Sequence, residues 1–549
     1  MYKAEYVDKP CWNYCVLCCE AFFDPKDGVE KVAIVSFASF VCGKLYLIEP
    51  RSNAVEEYTL PLDNGAWTIY NHQNDALIIG TSSTYGTILR FDFHTRTFSE
   101  PLSCGETYIW DFAADGNGYL YGGTYNKAKL IRYDLNHHKL DDLGPVDPAH
   151  PGNYYNSVVA CYDGYILCDI GKDVPDTFAY RICDGVIKPA KEYGIETTAK
   201  AVKATTDPRA KGHYCFMSDG SVFAIEGQEY RFYEGDSSES IVRRIPGTPP
   251  ATGVYALAYG DDGILYGASN FGLTMFTYNP KTRECYNSTH VDYTSGGQIY
   301  GIVYKNGLVY MTSYAGGRHI VYDPKKPWDS RGGVNPYLLE CVSEDYIRPF
   351  GRSVMGPRGD IWTGWYAKYG MYGGALSKIE TETETVTTYP VGENGVASVT
   401  ADDTFVYYVT CGLACGLPER KNRFKVAAVD ADGKEVRSAF LPDGSVPRSI
   451  LVDGDLLYIG CVGVCRIYCK HTLEQLCEIA TPNTSVTGMR RFGSKVIAFT
   501  SSKLAMSIDP ETHETAIIAE LPMNVYGMCI ADDTFYFGCG AELWKLTEN

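Results

Sequence analysis

The sequence predicts an all-β protein made of repeated four-stranded antiparallel sheets, with almost no helix. Three observations support this prediction. Segments of one pattern recur along the chain, their apolar strands meet at Asp-Gly and Asn-Gly turns, and no stretch sustains the 3.6-residue period of a helix. The 44 Tyr, 22 Phe and 7 Trp favour strands as well, because aromatic side chains pack well on a pleated surface.

The repeat is clearest in the segments that begin at Asp115, Gly260, Tyr304 and Val452. Each contains two apolar strands joined by a tight turn, a short loop, an alternating strand, a polar turn and a last strand. Gly and Asn supply the positive φ that two-residue hairpin turns require. Copies begin about every 40 to 50 residues, which is the length of one blade of a β-propeller. The repeat therefore predicts a propeller.

The repeat also predicts how the chain is divided. About twelve copies begin near Trp12, Asn64, Glu106, Asn153, Lys200, Gly253, Gly297, Tyr346, Asn394, Ser445, Thr484 and Asn524. Because a typical ring has four to eight blades, we predict two propellers, about five repeats over residues 1–240 and about seven over 250–549. The connector 235–253, rich in Pro, Ser and Gly, would join them. One oversized ring, or a single propeller whose decayed repeats are counted twice, is the alternative.

The two ends of the chain are predicted to share one blade. The N-terminal MYKAEYVD alternates like a strand but has no blade of its own, and the last copy stops after AELWKLTEN, too early to complete one. Pairing these ends would remove two exposed sheet edges.

Composition narrows the function classes. The net charge of −18 disfavours binding to nucleic acids and to anionic membranes, since both require clustered Lys and Arg. No targeting segment and no membrane-length apolar stretch is found, so we expect a cytoplasmic protein. The 20 Cys are interpreted as buried thiols in a reducing compartment, because Cys461–Cys465–Cys469 and Cys411–Cys415 lack the second half of a zinc site.

One copy carries a family resemblance. The segment from Ser353 contains GPRGDIW, which resembles the GPDG-x-W core of streptogramin (virginiamycin B) lyase-like propellers. The copy at Asp115 resembles a wider group of bacterial propellers that includes gluconolactonase-like proteins and sugar lyases. The resemblance implies the fold, and it suggests enzymes that cleave C–O bonds by elimination or act on uronate-containing sugars. No catalytic or metal-ligand motif of those families matches a numbered position here, so no residue role is carried over.

Ligands of a propeller bind over the central channel, at the face where each innermost strand starts and where the loop between the second and third strands returns. Aromatic rings there offer apolar faces to sugars, and Arg grips carboxylates with two hydrogen bonds. The predicted substrate-binding residues are Tyr125, Tyr300, Arg318, Arg348, Trp365, Tyr366 and Tyr369.

An elimination next to a carboxylate needs a cation, a base and an acid. The predicted catalytic residues are Arg352 as the cation, with Arg318 and Arg348 as alternatives, and His319 or His150 with Tyr314 or Tyr154 as the proton-exchanging groups. Structural roles compete with each assignment: aromatic residues pack between blades, histidines cap strands, and arginines pair with internal carboxylates. The basic insertion at residues 411–425 is interpreted as a lid, a contact loop or a solvated loop.

These observations favour an intracellular carbohydrate-active enzyme, a lyase that cleaves a C–O bond in an acidic oligosaccharide or glycoside. The first alternative is a non-catalytic propeller that binds a ligand or a protein. The second is a metal-dependent lactonase-type hydrolase, with Asp111, Asn156 and Asn524 as candidate ligands. We expect no cofactor, although a divalent metal is left open by the second alternative. The expected partner is a small molecule or an oligosaccharide, and the oligomeric state is left open.

Overall fold

A computed structural model describes residues 2–82, 84–171, 174–293 and 297–548, without the side chain of Pro482. Strands dominate it. The helical segments in these residues are short: α1 (Ala199–Lys203) and two 3-10 turns, Ala190–Tyr193 and Pro357–Gly359. The predicted all-β propeller class is confirmed by this content and by the series of antiparallel sheets in which each strand pairs with the next. No helix in the described ranges is both long and apolar enough to cross a lipid bilayer.

Contacts divide the chain into two units. The small unit is Tyr14–Pro250, and the large unit combines Met1–Asn13 with Ala251–Asn549. The bounds at residues 240 and 250 remain predictions from the repeat pattern. Strand β1 (Tyr2–Asp8) belongs to the large unit although it comes first in the chain.

The small unit contains successive groups of antiparallel strands, and the pairs Tyr108–Ser82 and Tyr125–Tyr155 join the second, third and fourth groups into one 13-stranded sheet. The strands are, group by group, β2 (Val16–Phe23), β3 (Glu30–Ser36), β4 (Lys44–Glu49) and β5 (Ala54–Thr59); β6 (Gly65–His72), β7 (Ala76–Ser82), β8 (Thr87–Asp92), β9 (Thr97–Phe98) and β10 (Leu102–Ser103); β11 (Tyr108–Ala114), β12 (Tyr119–Tyr125), β13 (Lys129–Asp134) and β14 (Lys139–Pro145); β15 (Tyr155–Tyr162), β16 (Tyr165–Gly171), β17 (Asp176–Arg181) and β18 (Val186–Pro189); β19 (His213–Phe216), β20 (Val222–Glu226), β21 (Glu229–Tyr233) and β22 (Ile241–Arg244). The first strands β2, β6, β11 and β15 lie side by side, β19 lies beside β2, and α1 packs on β15.

The large unit has the same organisation. Its strands are β23 (Val254–Tyr259), β24 (Leu265–Ser269), β25 (Thr274–Tyr278) and β26 (Cys285–His290); β27 (Gln298–Lys305), β28 (Leu308–Tyr314), β29 (Arg318–Tyr322) and β30 (Tyr337–Cys341); β31 (Tyr346–Met355), β32 (Ile361–Ala367), β33 (Gly374–Glu380) and β34 (Thr385–Gly392); β35 (Gly395–Ala401), β36 (Val406–Cys411), β37 (Lys425–Val429) and β38 (Glu435–Phe440); β39 (Pro447–Asp453), β40 (Leu456–Cys469), β41 (Gln475–Phe492), β42 (Lys495–Thr500), β43 (Leu504–Ile508) and β44 (Thr515–Glu520); β45 (Val525–Ala531), β46 (Thr534–Cys539) and β47 (Glu542–Glu548). The long strand β41 takes part in two sheets, pairing with β40 through its first half and with β42 through its second.

The first strands of the large unit form a closed ring. Strands β23, β27, β31, β35, β39, the second half of β41 and β45 follow one another as neighbours, and β45 lies beside β23. The N-terminal strand completes the last sheet, as the sequence predicts, since β1 pairs with β47 from Tyr2–Glu548 to Asp8–Leu543. This pairing covers the sheet edge that β47 would otherwise expose.

Apolar clusters between neighbouring sheets hold the ring together. In one of them Trp362 and Leu376 of one sheet pack against Val396, Val406 and Tyr408 of the next, and all five side chains are buried. Such contacts fix each first strand against its neighbours, so the side chains that face the channel have a defined place.

Candidate anion site in the channel of the large unit

A β-bulge recurs near the start of the first strands in the large unit. In β23 the pair Val254–Ser269 is followed by Ala256–Ala268, so Tyr255 has no opposite residue. A bulge leaves one extra residue out of the ladder and re-aims its side chain. The residues skipped in this way in the other strands are Tyr300, Pro349–Gly351, Ala397, Arg448, Thr487 and Tyr526–Gly527.

The bulge residues surround a central cavity of about 270 Å³. Each strand of the ring contributes to the lining, and the bulge side chains Tyr255, Tyr300, Phe350, Arg448 and Tyr526 are part of it. Arg352 and Arg490 line the cavity as well. In the part of the chain that the structure describes, no Asp or Glu side chain belongs to this lining. The channel is therefore positively charged in a protein whose net charge is −18.

Arg352 is half-buried and is held by neutral groups. Its Nη1 donates hydrogen bonds to the carbonyl oxygens of Tyr255 at 2.8 Å and Tyr300 at 3.4 Å. The guanidinium carbon lies 5.1 Å from the ring centroid of Tyr255. Its φ of 63° is in the left-handed region, which costs a non-glycine residue about 1–2 kcal/mol. These contacts fix the side chain without neutralising its charge.

Arg490 adds a second charge to the same channel. Its backbone pairs with Ile497, but its side chain makes no hydrogen bond or ion pair with any residue in the described ranges, and it is half-buried. Burial lowers the pKa of Arg490, and the positive charge of Arg352 lowers it further. The two guanidinium groups thus repel each other across a cavity that offers them no carboxylate.

Arg448 has one weak partner. Its Nη2 lies 3.5 Å from Oε1 of Glu419, which belongs to the insertion at residues 411–425. Its Nη1 is buried and finds no hydrogen-bond acceptor among the described residues. The Glu419 carboxylate is partly exposed, so the ion pair is screened by solvent.

Arg348 adjoins the channel beside a pair of tyrosines. Its guanidinium lies 4.1 Å from the ring centroid of Tyr314, and its Nη2 is 3.4 Å from the hydroxyl of Tyr369. The hydroxyls of Tyr314 and Tyr369 share a hydrogen bond. The ring of Tyr314 packs against Tyr300, at 6.2 Å between centroids, and so connects this group to the channel lining.

Three phenols at or beside the channel, those of Tyr300, Tyr369 and Tyr526, have a raised pKa and stay protonated at neutral pH. Burial raises the pKa of Tyr300 and of Tyr526. Burial also raises the pKa of Tyr369, and its hydrogen bond with Tyr314 raises it further. These hydroxyls are therefore hydrogen-bond donors, which suits an anionic or hydroxyl-rich ligand.

The insertion at residues 411–425 packs against the loop between β32 and β33. The hydroxyl of Tyr372 donates to the carbonyl of Pro418 at 2.8 Å, and the guanidinium of Arg420 lies 3.7 Å from the Tyr372 ring centroid. The backbone N–H of Gly370 donates to the carbonyl of Cys415 at 3.0 Å. The insertion is therefore a contact loop, and its Glu419 lies beside Arg448.

Five of the predicted site residues are gathered at or beside the channel. Arg352 and Tyr300 line it, and Arg348, Tyr314 and Tyr369 form the neighbouring group.

Four other predicted residues of the large unit have partners inside the protein. His319 is buried, and its Nε2 lies 2.8 Å from Oγ of Ser377, to which Trp365 also donates at 2.7 Å. Burial lowers the pKa of His319 to about 4, so the ring is neutral. Tyr366 is buried against Cys411, 3.1 Å away, and Nε of Arg318 lies 3.2 Å from buried Asp292. Each of these four side chains thus has a partner inside the protein, and their roles in ligand binding or catalysis stay predictions.

The remaining predicted residues, His150, Tyr154 and Tyr125, belong to the small unit. His150 Nδ1 lies 2.8 Å from Asp147 Oδ2. Tyr125 and Tyr154 both pack on Tyr155, at 5.4 and 4.6 Å between ring centroids. The predicted catalytic set is thus divided between the two units.

Four residues of the channel lining, Tyr255, Tyr526, Arg448 and Arg490, were not predicted from the sequence. A signal for the first three was present in the repeat, because each stands second in a short motif at the start of its copy. These motifs are VYAL at 254–257, IYGI at 299–302, PRSI at 447–450, VTGM at 486–489 and VYGM at 525–528. Aligning the copies on this motif identifies the ring of bulge residues, and Arg490 directly follows one such motif.

The lactonase alternative requires side chains that can hold a metal ion. No group of three or more His, Cys, Asp or Glu side chains within the described ranges is placed to hold a metal ion. The candidate ligands of the lactonase alternative also belong to different units, Asp111 and Asn156 to the small one and Asn524 to the large one.

Comparisons with known proteins give one similar solved structure and no family. No protein-family model matches the chain, and no curated protein matches it. Among solved structures, one described as "Streptogramin B lyase structure" is similar with a TM-score of 0.43 and 15% sequence identity, over 55% of this chain and 95% of that one. The likeness is one of fold.

Proposed function

We propose that the large unit binds an acidic carbohydrate in its central channel. The observation that carries this proposal is the set of arginines in and beside a cavity whose described lining contains no carboxylate. Arg352, Arg448 and Arg490 line the cavity, and Arg348 stands next to it.

A buried charge without a partner of opposite charge raises the free energy of the folded protein. Charges removed from water are normally paired, since desolvation is expensive. Arg352 and Arg490 instead repel each other, and the carboxylate nearest to Arg448 is partly exposed. An anion placed between these side chains would relieve the repulsion, and hydrogen bonds to charged groups contribute about 1.5–3 kcal/mol each.

The aromatic part of the lining favours a ligand with a ring-shaped body. Tyr255 packs edge-on against Tyr300 at 5.1 Å and stacks with Tyr526 at 5.2 Å between centroids. The rings of Phe350 and Tyr300 also pack together, with 6.1 Å between their centroids. Aromatic faces accept the apolar C–H faces of sugars, and the phenol hydroxyls donate to ring or hydroxyl oxygens. An acidic oligosaccharide or glycoside offers both kinds of group.

A second candidate function is elimination from such a ligand, and the group of Arg348, Tyr314 and Tyr369 favours it. Arg348 would neutralise the carboxylate next to the reacting carbon. Tyr314, as a phenolate beside the guanidinium of Arg348, would accept the α-proton, the electron pair of the C–H bond would form the C=C bond, and the C–O bond would break with its electron pair leaving on the oxygen. Tyr369, whose pKa is raised by burial, would donate its proton to the leaving oxygen, and the proton gained by Tyr314 would return to Tyr369 through the hydrogen bond that the two hydroxyls share. A channel that binds without turnover would be the non-catalytic alternative.

Calorimetric titration with acidic glycans and with neutral glycans of matched length tests the binding proposal. We expect binding of the acidic series alone, and Arg352→Gln should weaken it tenfold to hundredfold, as the loss of about 1.5–3 kcal/mol implies. Arg358→Gln is the matched control, because Arg358 is exposed and pairs with Asp432 outside the cavity. Equal binding of neutral glycans, or none of acidic ones at millimolar concentration, would refute the proposal.

Ultraviolet absorbance of unsaturated uronates tests the second candidate on the same panel. Turnover that is lost in Tyr314→Phe, while binding persists, would support elimination. Binding without any change in absorbance would leave the channel as a ligand-binding site.

A further inference from the structure

We infer that the ligand carries at least two anionic groups, held at two depths of the channel of the large unit. The outer group would contact Arg348, and the inner group would lie between Arg352 and Arg490. This inference rests on the proposed function and specifies the ligand class within it, since a ligand with one charge would satisfy only one of the two places.

The order of the arginines along the channel follows from the strand register. Arg348 pairs with Tyr366, and Arg352 pairs with Gly364. Tyr366 and Gly364 are two residues apart on β32, which corresponds to about 7 Å along a strand. Arg348 therefore stands before the bulge of β31 and Arg352 after it.

Arg490 lies deeper still. It is the third residue after Thr487, the bulge residue of its strand, and three residues extend about 10 Å along a strand. Arg448, by contrast, is itself the bulge residue of β39. Positive charge is thus distributed along the channel instead of converging on one point.

The two depths also differ in their surroundings. The outer arginine is flanked by the hydroxyls of Tyr314 and Tyr369, and its Nε is buried without an acceptor among the described residues. The inner arginines line the same cavity, and the acceptors of Arg352 among the described residues are two carbonyl oxygens. At each depth the arginine has N–H groups that can donate to an anionic group of the ligand. The tyrosine rings of the channel lining would contact the part of the ligand between its two anionic groups.

The experiment compares galacturonate with its dimer and trimer on the wild type, Arg348→Gln and Arg490→Gln. In the wild type we expect the dimer or trimer to bind at least tenfold more tightly than the monomer. Each variant should weaken oligomer binding tenfold or more, and only one of the two should weaken monomer binding. The dimer with both carboxylates converted to methyl esters lacks the charges and should bind neither the wild type nor the variants.

Two results separate this inference from the proposed function. If the monomer and the oligomers bind equally well, or if both variants weaken the monomer as much as the dimer, there is one anionic site and the inference is wrong while the proposed function stands. If no galacturonate species binds the wild type, the proposed function itself fails. Arg358→Gln again serves as the control for surface charge, and thermal melting confirms that each variant is folded.

Discussion

Arg352 donates a hydrogen bond to the carbonyl oxygen of Tyr255 at 2.8 Å, although the strand of Tyr300 lies between their strands in the ring. The side chain therefore spans three successive strands at the wall of the channel. Its contacts are with neutral oxygens and aromatic rings, which leaves its charge available to a ligand.

Replacing Arg352 by Gly separates its charge from its backbone strain. Glycine adopts a φ of 63° without the penalty that a side chain incurs, so the loss of the arginine contacts is partly offset. We expect a melting temperature close to that of the wild type and an affinity for acidic glycans that is tenfold to hundredfold lower. Calorimetry of unfolding and of binding measures both quantities. A variant that unfolds readily yet keeps its affinity would assign Arg352 a structural role.

Replacing Glu419 by Gln should strengthen anion binding. The carboxylate lies 3.5 Å from Arg448 and competes with a ligand for it. Because the pair is partly exposed, its loss should change stability by less than about 1 kcal/mol, while affinity for acidic glycans rises several-fold. Glu393→Gln is the matched control, since Glu393 pairs with Arg420 and does not line the cavity. Unchanged or weaker binding in Glu419→Gln would mean that Arg448 does not contact the ligand.

Replacing Ser377 by Ala should destabilise the large unit. The hydroxyl of Ser377 is shared by buried Trp365 and His319, and its removal leaves a buried indole N–H without an acceptor. A buried polar group without its partner costs about 1–3 kcal/mol. We expect lower stability in chemical denaturation and unchanged binding of acidic glycans. Loss of turnover at full stability would instead restore the predicted catalytic role of His319.

The free energy of unfolding of the small unit should depend on pH because of Glu20. Burial raises the pKa of Glu20 to about 7, above its ordinary value near 4.5. At a pH between these two values, Glu20 keeps its proton in the folded state and loses it in the unfolded state. The free energy of unfolding therefore falls as the pH rises from about 4.5 to 7, and it stays constant above that range. Glu20→Gln should remove this decline and be more stable than the wild type at pH 8. Thermal melting from pH 5 to 8 checks this, with exposed Glu239→Gln as the control, and parallel curves for Glu20→Gln and the wild type would contradict it.

The fold class was predictable because its information is local. Turn residues such as those after Asp115 and Gly260, and the alternation of the strands between them, recur at one blade length, and only a propeller accommodates many such copies in series. The pairing of the two ends was predictable for the same reason: a strand without a blade and a blade without its last strand complete each other, as Tyr2 and Glu548 do.

The site was only partly predictable. Arg348 and Arg352 were selected because they stand at a strand start, and they lie beside and in the channel, but selection from the loops between second and third strands chose His319 and Trp365, which are buried. In a regular strand successive side chains point to opposite faces of the sheet. A bulge inserts an extra residue, so that every side chain after it points to the face opposite to the one that alternation predicts. The bulge is a property of pairing between strands, and one copy considered alone does not show it.

The sequence by itself determined the strands, the turns and the repeat, since each depends on the conformational preferences of neighbouring residues. Only the tertiary structure decided which side chains share the channel. Arg352 and Arg490 are 138 positions apart in the chain, and closure of the ring of first strands brings their charges into one cavity. That closure depends on packing between sheets and on the pairing of β1 with β47, both of which are long-range interactions.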